Sequence, residues 1–244
     1  MKYGAKVATP WRRGITALFL AAQEGHHDMV RTLAIDHKHP TDVREENHDF
    51  TPVFAAAQRG HVAVLRVLVD ECGCDLTVRS RRGLTPFMVA AQAGKSEALE
   101  WLARSGANIN DTLPSGASAL YLACQEDHLA AVQTLHFLGV SIDQPRNDGT
   151  TPAFIAALKG NFECLRFLAE KKANLLEPNN EGITPWQASR ESQAPHRSET
   201  LVVLAAHGAR GPGACVIFLR KCFRSQPKRS NTEEKSTSDG ANSI

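Results

Sequence analysis

One segment type returns along the chain at a nearly constant spacing. Thr16 opens "TALFLAAQEGHHDMVRTL", Thr51 opens "TPVFAAAQRGHVAVLRVL" and Thr85 opens "TPFMVAAQAGKSEALEWL". Ser118 opens "SALYLACQEDHLAAVQTL", Thr151 opens "TPAFIAALKGNFECLRFL", and Thr184 opens "TPWQASRES", a degenerate copy. These heads lie 35, 34, 33, 33 and 33 residues apart. A period of this length describes one supersecondary unit repeated, each copy too small to bury its own apolar face. Stacking neighbours then makes one continuous core, with stability summed over adjacent units.

The unit headed by Thr85 shows how each copy folds. Thr85 is read as a helix N-cap, its hydroxyl accepting from an otherwise unpaired backbone N–H. Pro86 follows at the first helical position, where a missing donor costs nothing. Phe87, Ala90 and Ala91 give a short helix a narrow apolar face, and the paired alanines allow close approach of a neighbour. Gly94 ends that helix. A second helix is predicted from about Ser96, carrying Ala98, Leu99 and Leu102 at helical spacing and ending at Gly106. "ANIN" then leads into a hairpin arm. The expected fold class is all-α: a solenoid of helix–turn–helix units joined by β-hairpin loops.

Composition agrees with a helical, soluble, globular chain. The 244 residues are 42% hydrophobic and only 6% aromatic, so alanine and leucine must supply most of the packing. No apolar run approaches the roughly 20 residues that span a bilayer. The first sixteen residues lack the apolar stretch of a secretory signal, so the six cysteines are read as thiols in a reducing compartment. Residues 210–244 carry seven Lys/Arg against three Asp/Glu, whereas residues 1–209 carry 21 against 23. The body lacks the basic balance of a nucleic-acid binder, and no nucleic-acid partner is expected.

The pattern G-x-T-P-x-x-x-A-A-x-x-G-H, a leucine-rich second helix and a closing G-A-N/D-φ-N (φ apolar) resembles the ankyrin repeat, over roughly residues 4–209. Ankyrin repeats usually read T-P-L-H, with the histidine bonding between neighbours. Here that slot holds Phe19, Phe54, Met88, Tyr121, Phe154 and Gln187. The array is therefore read as divergent, about five and a half repeats long, with a partial repeat at 1–10 and a basic, unstructured tail at 210–244. "GAKV", residues 4–7, matches the end of a repeat in the same register. Without a polar cap before it, Leu18, Leu20, Ala21 and Met29 of the first full unit are expected to be partly exposed. That predicts a fragment of a longer chain, or an end that docks a partner or a second copy. In the last unit, three extra residues around "SQAPHR" precede "TLVVLAAHGA", which can serve as a C-terminal cap.

No catalytic, cofactor or metal site is predicted. His26, His61 and His128 recur at one repeat position, which favours a scaffold role. His27, His37, His39 and His48 crowd one junction without a convincing set of four zinc ligands. Cys72 and Cys74 lack a second pair; Cys124 stands for a core alanine and Cys164 falls on a buried helical face. The glycines recur at helix ends, not in a phosphate loop, and no nucleophile elbow is present. Asn110 holds a slot resembling hydroxylated asparagines of ankyrin repeats, with a hairpin hydrogen bond as the favoured reading. Cys215 and Cys222 flank an apolar–basic run in the tail.

What the resemblance implies for binding is a groove lined by hairpin tips and first helices. On this sequence the tips are Arg12, Arg13 and Ile15; Asn47, His48 and Phe50; Arg81, Arg82 and Leu84; Pro114, Ser115 and Ala117; Asn147, Asp148 and Thr150. The helix ends are Gln23, Glu24, Gln58, Arg59, Gln92, Gln125, Glu126 and Lys159. Arginines 12, 13, 59, 81 and 82 cluster in the first half with Phe50 between them, which suits carboxylate or phosphate recognition. The expectation is a non-catalytic scaffold or adaptor binding a protein segment, acidic or phosphorylated, in the cytoplasm or the nucleus. The alternatives are membrane-surface targeting through the basic, cysteine-containing tail, or the regulatory part of a longer enzyme.

Overall fold

The computed structural model describes residues 14–209. Arg12, Arg13, the partial repeat and the tail with Cys215 and Cys222 lie outside the described residues. Within them, twelve α-helices form six pairs. The first helices of the pairs are α1 (Ala17–Gln23), α3 (Pro52–Arg59), α5 (Pro86–Gln92), α7 (Ala119–Gln125), α9 (Pro152–Lys159) and α11 (Pro185–Glu191). The second helices are α2 (His27–Arg31), α4 (Val62–Arg66), α6 (Ser96–Arg104), α8 (Leu129–Phe137), α10 (Phe162–Glu170) and α12 (Arg197–Ala206). Each first helix packs on the next first helix, so they form one row, backed by the second helices.

The caps follow the sequence. The hydroxyls of Thr16, Ser118 and Thr151 accept from the N–H three residues on, at 3.1, 3.2 and 3.1 Å. Thr85 and Thr184 do the same at 3.3 Å; Thr51 heads its helix without a side-chain cap bond. The residue that donates to each cap occupies the slot of the missing histidine. Phe54 and Met88 are fully buried there, and Tyr121 and Phe154 nearly so. Gln187 uses the slot differently: its Oε1 accepts from the Thr184 backbone N–H at 2.8 Å, closing a capping box.

The turn between paired helices places Gly94 at φ +70, and a side chain there would sit 2.6 Å from the His128 ring of the next unit. Glycine is thus required both by backbone conformation and by the approach of the following repeat. The recurring histidine position is that approaching group. His61 Nε2 lies 3.0 Å from the Gln23 carbonyl, and Asn161 Nδ2 donates to the Cys124 carbonyl at 2.8 Å.

The uneven period has two structural causes. The second helices of repeats 1 and 2 each run on into a π-helical turn, Thr32–Asp36 and Val67–Glu71, which absorbs one extra residue. The first hairpin tip holds one more. Its closing bond runs from Glu45 N–H to Phe50 C=O, whereas the later tips close one residue sooner, as in Ser80 to Leu84 and Leu113 to Ala117. Repeat 1 therefore spans 35 residues, repeat 2 spans 34, and the others 33.

The hairpin arms carry little strand pairing; one isolated bridge joins Thr112 and Ser118 among the described residues. Successive tips are instead stitched together. The N–H groups of Arg81, Asn147 and Asn180 donate to the carbonyls of His48, Ser115 and Asp148 in the preceding tips. Pro114 occupies the corresponding position of the third tip and has no N–H to give. There Arg79 bridges, its Nη1 donating to the carbonyls of Gly83 and Thr112.

The start of the array is better covered than predicted. Leu18 and Ala21 are core residues, because α3 packs directly on α1. Leu20 and Met29 are exposed, at 40% and 54%.

Candidate functional site

The tips and the first helices enclose two open cavities. The first, about 250 Å³, lies along repeats 1 to 3. Phe19, Phe50 and Leu84 form its floor, and Gln58, Gln92, His48 and Arg82 stand round its mouth. The second, about 430 Å³, lies along repeats 4 to 6, walled by Phe154, Ile155, Leu158 and Ile183, with Arg146, Asp148 and Glu191 among its polar lining.

One helical position runs through both. It is the seventh residue after each head: Gln23, Gln58, Gln92, Gln125, Leu158 and Glu191. Gln58 and Gln92 line the first cavity, Leu158 and Glu191 the second. The side-chain amides of Gln23, Gln58 and Gln92 have no hydrogen-bond partner among the described residues, while Gln125 donates to Glu126 at 3.0 Å.

The arginines divide. Arg81 is held, its Nη2 lying 3.2 Å from Asp49 Oδ1 of the preceding tip. Arg59 and Arg82 are exposed and make no ion pair among the described residues. Phe50 and Leu84 do not stand exposed between the arginines. They are 9% and 5% accessible, and Phe50 stacks on Phe54 with ring centroids 4.8 Å apart. They shape the floor of the site and expose little surface of their own.

Other tip residues belong partly to the scaffold. Asn147 Nδ2 donates to the Pro114 carbonyl at 2.9 Å. Asp148 accepts from the Thr150 N–H and hydroxyl and pairs with Arg146 at 3.3 Å. Asn47 and His48 are exposed, but their backbone N–H groups both donate to the buried Glu45 carboxylate. Burial pushes the Glu45 carboxyl up; the N–H donors of Asn47, His48 and Phe50, with the His48 ring, outweigh it, and the acid sits below its ordinary value. Glu24, Glu126 and Lys159 are exposed at the ends of α1, α7 and α9.

Sequence reasoning passed over Glu45, Leu158, Ile183 and the Tyr121–Arg146 pair. In that pair Arg146 Nη1 donates to the Tyr121 hydroxyl at 3.2 Å, with the guanidinium 5.3 Å from the ring centroid. Leu158 and Glu191 could have been found by carrying the glutamine position two repeats further.

The cysteines and histidines do not converge. Among the described residues no group of three or more His, Cys, Asp or Glu side chains could hold a metal ion. Cys124 and Cys164 are buried thiols, and burial drives both above the usual thiol range, Cys164 helped by its hydrogen bond to Asp127. Asn110 donates its backbone N–H to Asn108 Oδ1 at 3.1 Å.

A row of paired helices, a stitched line of tips and one shared face define a repeat-built recognition solenoid. The family model for ankyrin repeats in threes matches residues 2–80 and 72–145, and that for the single ankyrin repeat matches residues 148–180. The chain belongs to the ankyrin-repeat family. It is 31% identical over 112 residues to human neurogenic locus notch homolog protein 1, a match covering 46% of this chain and 4% of that protein. It is 30% identical over 84 residues to alpha-latrocrustotoxin-Lt1a of Latrodectus tredecimguttatus, covering 34% of this chain and 6% of the toxin. Both relatives are many times longer than the matched segment. Among solved structures, the ankyrin repeat domain of Bcl-3, a member of the IkappaB protein family, superposes with a TM-score of 0.66 at 23% identity, over 83% of this chain and 87% of that one. That likeness shows the fold. Among the described residues, no helix is long and apolar enough to cross a membrane.

Proposed function

We propose that the chain is a non-catalytic adaptor that holds an acidic or phosphorylated segment of another protein along the tip–helix face. The observation that carries this reading is the pair Arg59 and Arg82. Both cations are exposed without an internal counter-ion among the described residues; Arg82 lines the first cavity, and Arg59 follows Gln58, another residue of its lining. A guanidinium in that position offers a forked set of donors to a carboxylate or phosphate. The apolar floor beneath supplies area that a bound side chain can bury. Arg81 contributes position, since Asp49 already neutralises it. Membrane attachment would rest on residues 210–244, outside the described residues, and no observation favours it. The expected setting is the cytoplasm or nucleus.

The test is a paired capture from cell extract with the intact chain and with an Arg59→Glu/Arg82→Glu variant of unchanged helical content. Partners retained by the intact chain and lost by the variant are the expected result, and they should elute at raised ionic strength. Identical partner sets for both baits would reject the groove as the functional site.

A further inference from the structure

The glutamine row has a spacing that selects a ligand conformation. Gln23, Gln58, Gln92 and Gln125 occupy equivalent positions of α1, α3, α5 and α7, and two of them demonstrably line the groove. Packed helices lie about 8–10 Å apart, so the amides repeat at about that interval. A polyproline II segment advances about 3.1 Å per residue with three residues per turn, so every third residue returns to the same face after about 9 Å. A β-strand covers a similar distance in three residues, but its third residue points to the opposite face. An α-helix advances only about 5.4 Å per turn. Of the three, polyproline II presents an equivalent group to each repeat once per turn, where an α-helix would need two turns.

The hydrogen-bonding chemistry fits as well. A polyproline II backbone makes no internal hydrogen bonds, leaving its carbonyls and N–H groups open. A glutamine amide offers both donors and an acceptor. Gln23, Gln58 and Gln92 spend none of theirs on partners among the described residues. The row then changes character. At repeat 5 the same position is Leu158, which is 36% exposed at the mouth of the second cavity beside Ile155 and Ile183.

We propose that the glutamine row reads a partner segment in polyproline II conformation, one three-residue turn per repeat. The segment places an acidic side chain at Arg82 and a bulky apolar side chain against Leu158. The inference rests on the acidic-segment reading above and adds conformation and register to it. From repeat 3 to repeat 5 is two turns, so the two recognised residues stand about six apart in the partner.

The probe is a phage-displayed library of random peptides, long enough to span five repeats, selected against the full chain. Enriched sequences carrying an acidic and a bulky apolar residue about six apart, with proline frequent between them, are the expected result. Acidic enrichment without a fixed offset, or apolar residues at helical spacing, would overturn the register while leaving the arginine reading intact. No acidic enrichment, or no enrichment at all, would overturn both. A second arm takes the best enriched peptide to a Gln58→Ala/Gln92→Ala variant. Its affinity should fall about tenfold, the value of two modest hydrogen bonds, with an unchanged melting temperature. An unchanged affinity would remove the glutamines from the site.

Discussion

At the scale of single residues, the positions that look most like chemistry turn out to hold repeats together. Gly94 and Gly106 separate two costs that sequence alone lumps together. Both have positive φ, but an added methyl at Gly94 meets the His128 ring, whereas at Gly106 nothing lies within 4 Å. Gly106→Ala should cost about 1–2 kcal/mol from backbone strain alone. Gly94→Ala should cost about 2–5 kcal/mol, because the next repeat must also move. Chemical denaturation of both variants checks the difference; equal losses would mean that His128 yields freely. Glu45 supports a pH prediction. Its folded pKa is depressed, so its contribution is present above the ordinary carboxylate value and is lost as pH falls through the lower folded value. Glu45→Gln should lower stability by about 1–3 kcal/mol at neutral pH. The gap to the parent chain should close as the pH falls below the ordinary carboxylate range. A gap that persists unchanged in acid would show that the carboxylate charge is not what the first tip uses.

At the scale of elements, the helix pairs were legible because each carries its own signals. A Thr or Ser heads every unit, and the proline, the paired alanines and the turn glycine each recur in four of the six. The irregularities were not legible, since an extra residue leaves no mark on composition. The period of 35 and 34 residues announced insertions without locating them. The structure puts one in each π-helical turn and one in the first tip. A testable consequence follows for the second turn. Asp70 is exposed and sits in the surplus turn Val67–Glu71, so its deletion should restore a regular helix at a cost within about 1 kcal/mol. Deleting Glu100 from α6, which has no residue to spare, rotates Leu102 out of the core. The chain should then lose about 2–5 kcal/mol or fail to fold. Thermal melts of the two deletions decide it; equal damage would mean that the π turn is itself required. The thiols test packing at the same scale. Cys124 and Cys164 should resist alkylation until the chain is unfolded, since both are buried and hold their protons strongly.

At the scale of the whole molecule, function follows from what repetition leaves free. Residues that vary at a fixed repeat position are not needed for stacking, and the resemblance to ankyrin repeats implied a groove where they lie. It could not rank the groove's residues. Arg81 and Arg82 are neighbours of one type, yet Asp49 neutralises only the first. Phe50 read as an aromatic standing between the arginines and is instead stacked on Phe54, in a position just before the helix head that is buried in the later tips too, at Leu84, Ala117 and Thr150. Such distinctions depend on tertiary neighbours that are 32 residues away for Arg81. The measurement that bears most directly on the groove as binding site is the dissociation constant of a captured partner segment, taken across ionic strength. The intact chain and the Arg59→Glu/Arg82→Glu variant are compared. The intact chain should weaken steadily with added salt. The variant should bind about a hundredfold more weakly, with a much flatter salt dependence, for the loss of two charged contacts. A variant that binds as tightly as the parent, with the same salt dependence, would place recognition elsewhere on the molecule.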